Sequence, residues 1–75
     1  MEKSEFNKKI GLYLRKIRLE KNWTQTELAS KVNSDFQNIS RVERGILSPT
    51  LYWLNNIAEA LEMNLGDLIN NAIKE

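Results

Sequence analysis

Apolar side chains return at helical intervals along nearly the whole of this chain. Phe6, Ile10, Leu14 and Ile17, with Tyr13 beside them, share one face of a segment over roughly 5–21. Leu28, Ala29 and Val32 make a shorter stripe, and Ile39 with Val42 a third. Leu51, Leu54, Ile57, Ala58 and Leu61 form the cleanest one, over roughly 51–62. Leu65, Leu68, Ile69 and Ile73 close the chain, over about 65–73. Strand-like alternation, internal repeats and low-complexity segments are all missing from the sequence. The pattern predicts an all-α domain over residues 1–75, with five short helices around one small core. The second of these helices, about nine residues, does not hold in water unaided, so it must pack on its neighbours.

Capping chemistry sharpens these boundaries. Ser4 is a plausible start for the first helix. Gly11 inside it costs ~1 kcal/mol relative to alanine, and either a close helix–helix approach or tolerated weakness explains it. Thr24 with Glu27 reads as a capping box, stapled by Trp23 and Leu28, so Trp23 is read as core rather than ligand. Asn33 suits a turn in the left-handed region. Ser34 with Gln37 reads as a second box, with Asp35 in the positively polarised first turn. Gly45 supplies the stop after Arg44. Ile46 and Leu47 then put two apolar residues where turn chemistry prefers polar ones. Ser48 or Thr50 caps the fourth helix, and Asn64 the fifth, with Asp67 at its third position and Met63 and Leu68 as staple.

Composition narrows the chemistry further. The 75 residues include no cysteine and no histidine, which excludes disulfides, Cys/His zinc sites, thiol nucleophiles and histidine acid–base work. No apolar run nears the ~18 residues of a membrane span, and the opening M-E-K-S-E-F-N-K-K has no signal-like core, so a cytoplasmic protein without a membrane partner is expected. Glu27, Asp35, Glu43, Glu59, Glu62 and Asp67 all have capping or solvated-face explanations, and no phosphate-cradling glycine loop, activated serine or metal-ligand spacing is present. Neither an enzyme nor a cofactor or small-molecule ligand is implied. The net charge of +1 hides an asymmetry: residues 1–22 carry seven basic and three acidic groups, and residues 43–75 two basic and five acidic. One end suits phosphates and the other does not.

The remaining constellation lies within about 24–44. A helix-turn-helix needs a small residue at the helix crossing, a permissive turn, and inward aliphatics on its second helix. Ala29, Asn33, and Ile39 with Val42 meet those needs. Phe36, Gln37, Asn38, Ser40, Arg41 and Arg44 are left pointing outward. A major groove accepts such a set, with glutamine or asparagine to adenine, arginine to guanine, and apolar contact to thymine methyls. Gln37 has two uses open, its capping box and a base.

The pattern Gln25-x-x-Leu28-Ala29-x-x-x-Asn33, followed by Ile39-x-x-Val42-Glu43-x-Gly45, resembles the phage Cro/CI repressor family of XRE-type regulators. The likeness extends to I-x-x-x-L-R-K-I-R-L-E-K before it and to S-P-T-L and the two closing stripes after it. It implies a compact five-helix, lambda-repressor-like domain whose third helix enters the major groove of double-stranded DNA. By matched position it implies base contacts from Phe36, Gln37, Asn38 and Arg41, and phosphate contacts from Gln25, Ser40 and Arg44. It also implies a buried ion pair between Arg18 and Glu43. Asn33 stands where glycine is usual, Phe36 where a polar reader is usual, and Asp35 near the phosphate path. The expected function is a transcriptional regulator acting as a homodimer on an inverted repeat, with Ile46, Leu47, Leu65, Ile69 and Ile73 available for the subunit contact. An antitoxin-like protein-interaction module on the same fold is the alternative. Tyr52 and Trp53 flank the fourth stripe and are open to either core or subunit contact.

Overall fold

Ile10 and Leu14, Leu28, Ile39, Ile57 and Leu68 are the largest side chains withdrawn fully from water, and together they draw on every helix. The computed structural model describes residues 1–74 and contains α1 (Lys3–Glu20), α2 (Gln25–Lys31), α3 (Phe36–Glu43), α4 (Leu51–Ala60) and α5 (Leu65–Lys74). No strand occurs among the described residues. α1 packs against both α3 and α5, α2 against α3, and α4 against α5. The five stripes read from the sequence are therefore the walls of one core, which Tyr13, Val42, Leu54, Ala58, Leu61 and Ala72 complete, except that Leu51, read as part of the fourth stripe, stands 66% exposed in the first turn of α4.

Gly11 faces a wall of backbone. A Cβ there would meet the carbonyl oxygens of Val42 and, at 2.6 Å, Glu43. The close approach is thus the reason for the glycine, and it sets α1 hard against the end of α3.

One device ends each of the first four helices. The amide of the second residue past the cap reaches back five positions: Trp23 to Arg18 O, Ser34 to Ala29 O, Ile46 to Arg41 O and Met63 to Ala58 O, at 2.9–3.1 Å. The residue in between is left-handed in each case, namely Asn22 (φ 61°), Asn33 (φ 56°), Gly45 (φ 77°) and Glu62 (φ 60°). Asn33 and Gly45 conform to the sequence reading. Asn22 and Glu62 were not anticipated, and Glu62 ends α4 before residue 62, because glutamate carries no turn signal of its own.

The N-termini divide in the same way. Thr24 accepts from the Glu27 amide at 3.0 Å while the Glu27 carboxylate accepts from the Thr24 amide at 2.9 Å, the expected box. Hydrogen bonds to its carboxylate, first from the Thr24 backbone and then from the Thr24 side chain, hold the Glu27 carboxyl below its ordinary pKa. Thr50 caps α4 through the Trp53 amide, and Asn64 caps α5 through the Asp67 amide. Two starts depart from expectation. α1 begins earlier than Ser4 allows, because the Phe6 amide already bonds to Glu2 O, and Glu2 caps without its side chain. α3 begins one residue late. Ser34 is spent on the preceding turn, its amide on Ala29 O and its hydroxyl accepting from Trp53 Nε1 at 3.5 Å. Asp35 is the cap, accepting from the Asn38 amide at 2.8 Å. The Ser34–Gln37 box does not form. Asp35→Ala is accordingly expected to lower stability by about 1 kcal/mol, and Ser34→Ala by less than half as much. Urea unfolding of the two variants checks this, and the reverse order would restore Ser34 as the cap.

Candidate nucleic-acid interface

The sequence from Thr24 to Arg44 folds as the expected pair of short helices. Ala29 is buried where α2 meets α3, Asn33 takes the left-handed turn, and Ile39 and Val42 face the core. With Ile39, Val42 and Glu43 buried, the opposite side of α3 is left to solvent.

The attitude of α3 is held from its far end by a buried charge network. Arg18 donates from Nε to Glu43 Oε2 at 2.7 Å and from Nη2 to Glu43 Oε1 at 3.0 Å, the fork-on-fork arrangement that a guanidinium allows. Its third nitrogen, Nη1, donates to the Trp23 carbonyl at 2.7 Å. Gln25 Nε2 donates to Glu43 Oε1 at 3.2 Å. The end of α1, the entry to α2 and the end of α3 are therefore tied at one carboxylate. Hydrogen bonding to Glu43 raises the Arg18 pKa above its already high value, so the guanidinium keeps its charge. No buried side-chain polar atom among the described residues lacks a partner. The expected ion pair is present, and Gln25 joins it, which the sequence reading did not foresee.

On the outward side, Phe36, Gln37, Arg41 and Arg44 are exposed, and Asn38 and Ser40 are partly covered. Gln37, Arg41 and Arg44 follow at spacings of four and three residues and so form one line along the helix. With Asp35 as cap, the Gln37 side chain carries no capping duty. Arg41 Nη1 donates to Asn38 Oδ1 at 3.4 Å, and Arg44 Nε to Ser40 Oγ at 3.2 Å and Ser40 O at 3.3 Å. These are local, solvated contacts that a stronger acceptor would replace. Asn38 stands on the flank, lining a shallow groove with Val42, Leu47, Pro49 and Trp53. Phe36 is 51% exposed at the first turn.

The loop after α3 is clamped by a contact no motif announced. Ser48 Oγ donates to Asn7 Oδ1 at 3.0 Å, and Asn7 is buried on α1 despite its polar side chain. A polar residue inside an apolar stripe was the available signal. Ile46, Leu47, Leu51 and Tyr52 nonetheless project from this loop and the start of α4. Leu65 and Ile69, also expected at a subunit contact, pack partly buried against the core. Ile73 is partly buried too, next to the carbonyl that accepts from Lys9 Nζ at 3.4 Å. Trp53 packs against the core, whereas Tyr52 is 76% exposed. The described residues hold no cluster of acidic groups fit for a metal ion, and no helix long and apolar enough to cross a membrane.

Comparison with known proteins places these features in context. A helix-turn-helix family model, HTH_3, matches residues 14–68. Among solved structures, the clp gene regulator ClgR from Corynebacterium glutamicum superposes with a TM-score of 0.86 at 26% identity, over 92% of this chain and 73% of that one. The restriction-modification controller protein C.Esp1396I superposes with a TM-score of 0.81 at 36% identity, over 92% of this chain and 90% of that one. The controller protein C.AhdI from Aeromonas hydrophila gives 0.84 at 28% identity, over 91% and 99%. No curated protein matches by sequence.

Proposed function

Because the chain belongs to the HTH_3 helix-turn-helix family of XRE-type DNA-binding regulators, we propose that it is a sequence-specific transcriptional regulator reading double-stranded DNA with α3. The observation that carries this reading is the line Gln37, Arg41 and Arg44, exposed on a helix whose angle is locked by the Arg18–Glu43 pair. Pre-organised guanidinium and amide groups are what base edges in a major groove require. Gln37 and Arg41 read bases, Asn38 contributes from the flank, and Phe36 offers its ring to thymine methyls. Arg44 and Ser40 meet phosphates. Gln25 has one nitrogen engaged with Glu43 and approaches the backbone from the start of α2. The controller protein C.Esp1396I is itself known in a nucleoprotein complex, which supports the comparison.

The same reading includes a homodimer. One small domain spans few base pairs, and two copies related by a dyad reach half-sites about 34 Å apart. The long dimension of the domain is 31 Å, so two bodies side by side approach that spacing. Exposure favours Ile46 and Leu47, joined by Leu51 and Tyr52, as the subunit contact, and Ile73 is only partly exposed. Leu65 and Ile69, partly buried against the core, offer less surface to this dyad contact than the loop residues do.

Exposed Phe36 and the low net charge of +1 favour a second reading, a protein-interaction module on the same fold. Binding to sites selected from a random DNA pool, measured as salt is varied, separates the two. The expected result is a selected motif and a steep fall of log affinity with log salt. Gln37→Ala with Arg41→Ala should relax preference by about 1–3 kcal/mol per base contact. Arg44→Ala should weaken all sequences alike and reduce the salt slope by about 1. A flat slope with no selected motif would leave the protein-interaction reading standing instead.

A further inference from the structure

Two surface features are made of residues outside α3 and the Ile46–Tyr52 loop. The first is the outer line of α1. Lys8, Leu12, Arg15 and Leu19 are all exposed and follow at spacings of four, three and four residues, so they form one stripe. Leu12 is 63% exposed and Leu19 48%, two large apolar groups on the most basic part of the chain. The stripe is a poor partner for itself. Parallel pairing sets each cation against its own copy, and antiparallel pairing of Leu12 with Leu19 sets Arg15 beside the other copy's Lys16. The second feature is at the α4–α5 corner, where Asn55, Glu59, Glu62, Met63, Asn64 and Leu65 line an open groove of 580 Å³. Met63 and Leu65 pack partly buried against the core, while Glu59 and Glu62 stand exposed.

We propose that the α1 stripe of one copy docks into the α4–α5 groove of a second copy. Leu12 and Leu19 cover Met63 and Leu65, with Lys8 and Arg15 opposite Glu59 and Glu62. The complementarity extends beyond the contact, since residues 1–22 are net positive and residues 43–75 net negative, which favours head-to-tail encounter. Such a contact is heterologous: each copy joined through its stripe still offers its groove. It therefore propagates, and it would join regulators held at neighbouring sites. It uses no residue of α3 and none of the loop assigned to the dyad contact, although Lys8 and Leu12 share a shallow groove with Glu43 and Arg44 at the end of α3, and its test is made without DNA.

Sedimentation of the full chain without DNA tests it. At about 0.1 M salt the mean mass should climb with concentration beyond that of a dimer, and the climb should move to higher concentration at about 1 M, where the screening length falls from ~10 Å to ~3 Å. Leu12→Ser with Leu19→Ser should abolish the climb. Arg15→Glu and Glu62→Lys should each weaken it about tenfold, equivalent to about 1.4 kcal/mol, and the two combined in one chain should recover most of the loss. All four positions are exposed, and circular dichroism confirms that each variant is folded. A mass that never exceeds a dimer at any concentration overturns the proposal. So does assembly that ignores the leucine pair, strengthens with salt, or is no better in the combined charge reversal than in either single one.

Discussion

Replacing Arg18 with alanine is expected to remove roughly 3–5 kcal/mol of stability, because it leaves the Glu43 carboxylate buried without its cation. Glu43 is only 5% exposed, and its remaining partner would be the single Gln25 bond at 3.2 Å. The Trp23 carbonyl would lose its bond from Nη1 as well. Domains of this kind have about 5–15 kcal/mol in total, so the variant should sit near the edge of folding. Its thermal midpoint should fall by at least ~12 °C at ~4 °C per kcal/mol. Lysine at this position should rescue little, since one ammonium cannot reproduce the paired bonds to Glu43 together with the bond to Trp23 O. Arg18→Met with Glu43→Leu should lose less than Arg18→Ala alone, because neither charge is then stranded. Urea unfolding of the three variants checks the order. A loss below ~1 kcal/mol for Arg18→Ala, the range of an exposed pair, would show that water reaches Glu43.

Gly11→Ala should also destabilise, by about 2 kcal/mol or more, and here the sign is the test. Helix propensity alone predicts a gain of ~1 kcal/mol for alanine inside a helix. The added methyl, however, would be driven into the carbonyls of Val42 and Glu43, which belong to α3 and cannot swing aside like a side chain. Overpacking of this kind costs typically 1–3 kcal/mol, occasionally more. α1 would have to lift away from α3, straining the Arg18–Glu43 bonds, so DNA affinity should fall along with thermal stability. A more stable Gly11→Ala variant would mean that the two helices are further apart than described.

Most of the fold could be read in advance, and the reason is local. The stripes at Ile10/Leu14, Leu28/Ala29, Ile39/Val42, Leu54/Ile57/Ala58/Leu61 and Leu68 report which face of each helix is buried, and the structure buries those faces, with Leu51 the exposed exception in the fourth. Thr24 with Glu27, Asn33, Gly45 and Asn64 mark boundaries because each satisfies a backbone group or a backbone angle within a few residues of itself. Where two local signals competed, the sequence could not rank them. Ser34 and Asp35 are both good caps, and the choice went to Asp35 because the turn out of α2 and the indole of Trp53 had already engaged Ser34. Glu62 was missed because glutamate carries no turn signal and the closing bond of the preceding helix imposes the left-handed angle, whereas Asn22 carried the same asparagine signal that marked Asn33.

The candidate site divides along the same line. Its outward residues were legible, because α3 has one apolar face and whatever is left must point away. What those residues are free to do was not. Gln37 reads equally well as a cap or as a base reader until the one-residue shift of α3 takes it out of the capping box. The sequence by itself determined five helices, their inward faces and the chemistry of the outward set, because periodicity and capping act over distances the chain covers in one or two turns. Only the tertiary structure decided why Gly11 is a glycine, how Gln25 joins Arg18 and Glu43, that Asn7 clamps Ser48, and which apolar residues stay in water. Each of those depends on two segments far apart in sequence meeting at a given distance, and pairwise approach in space leaves no periodic trace along a chain.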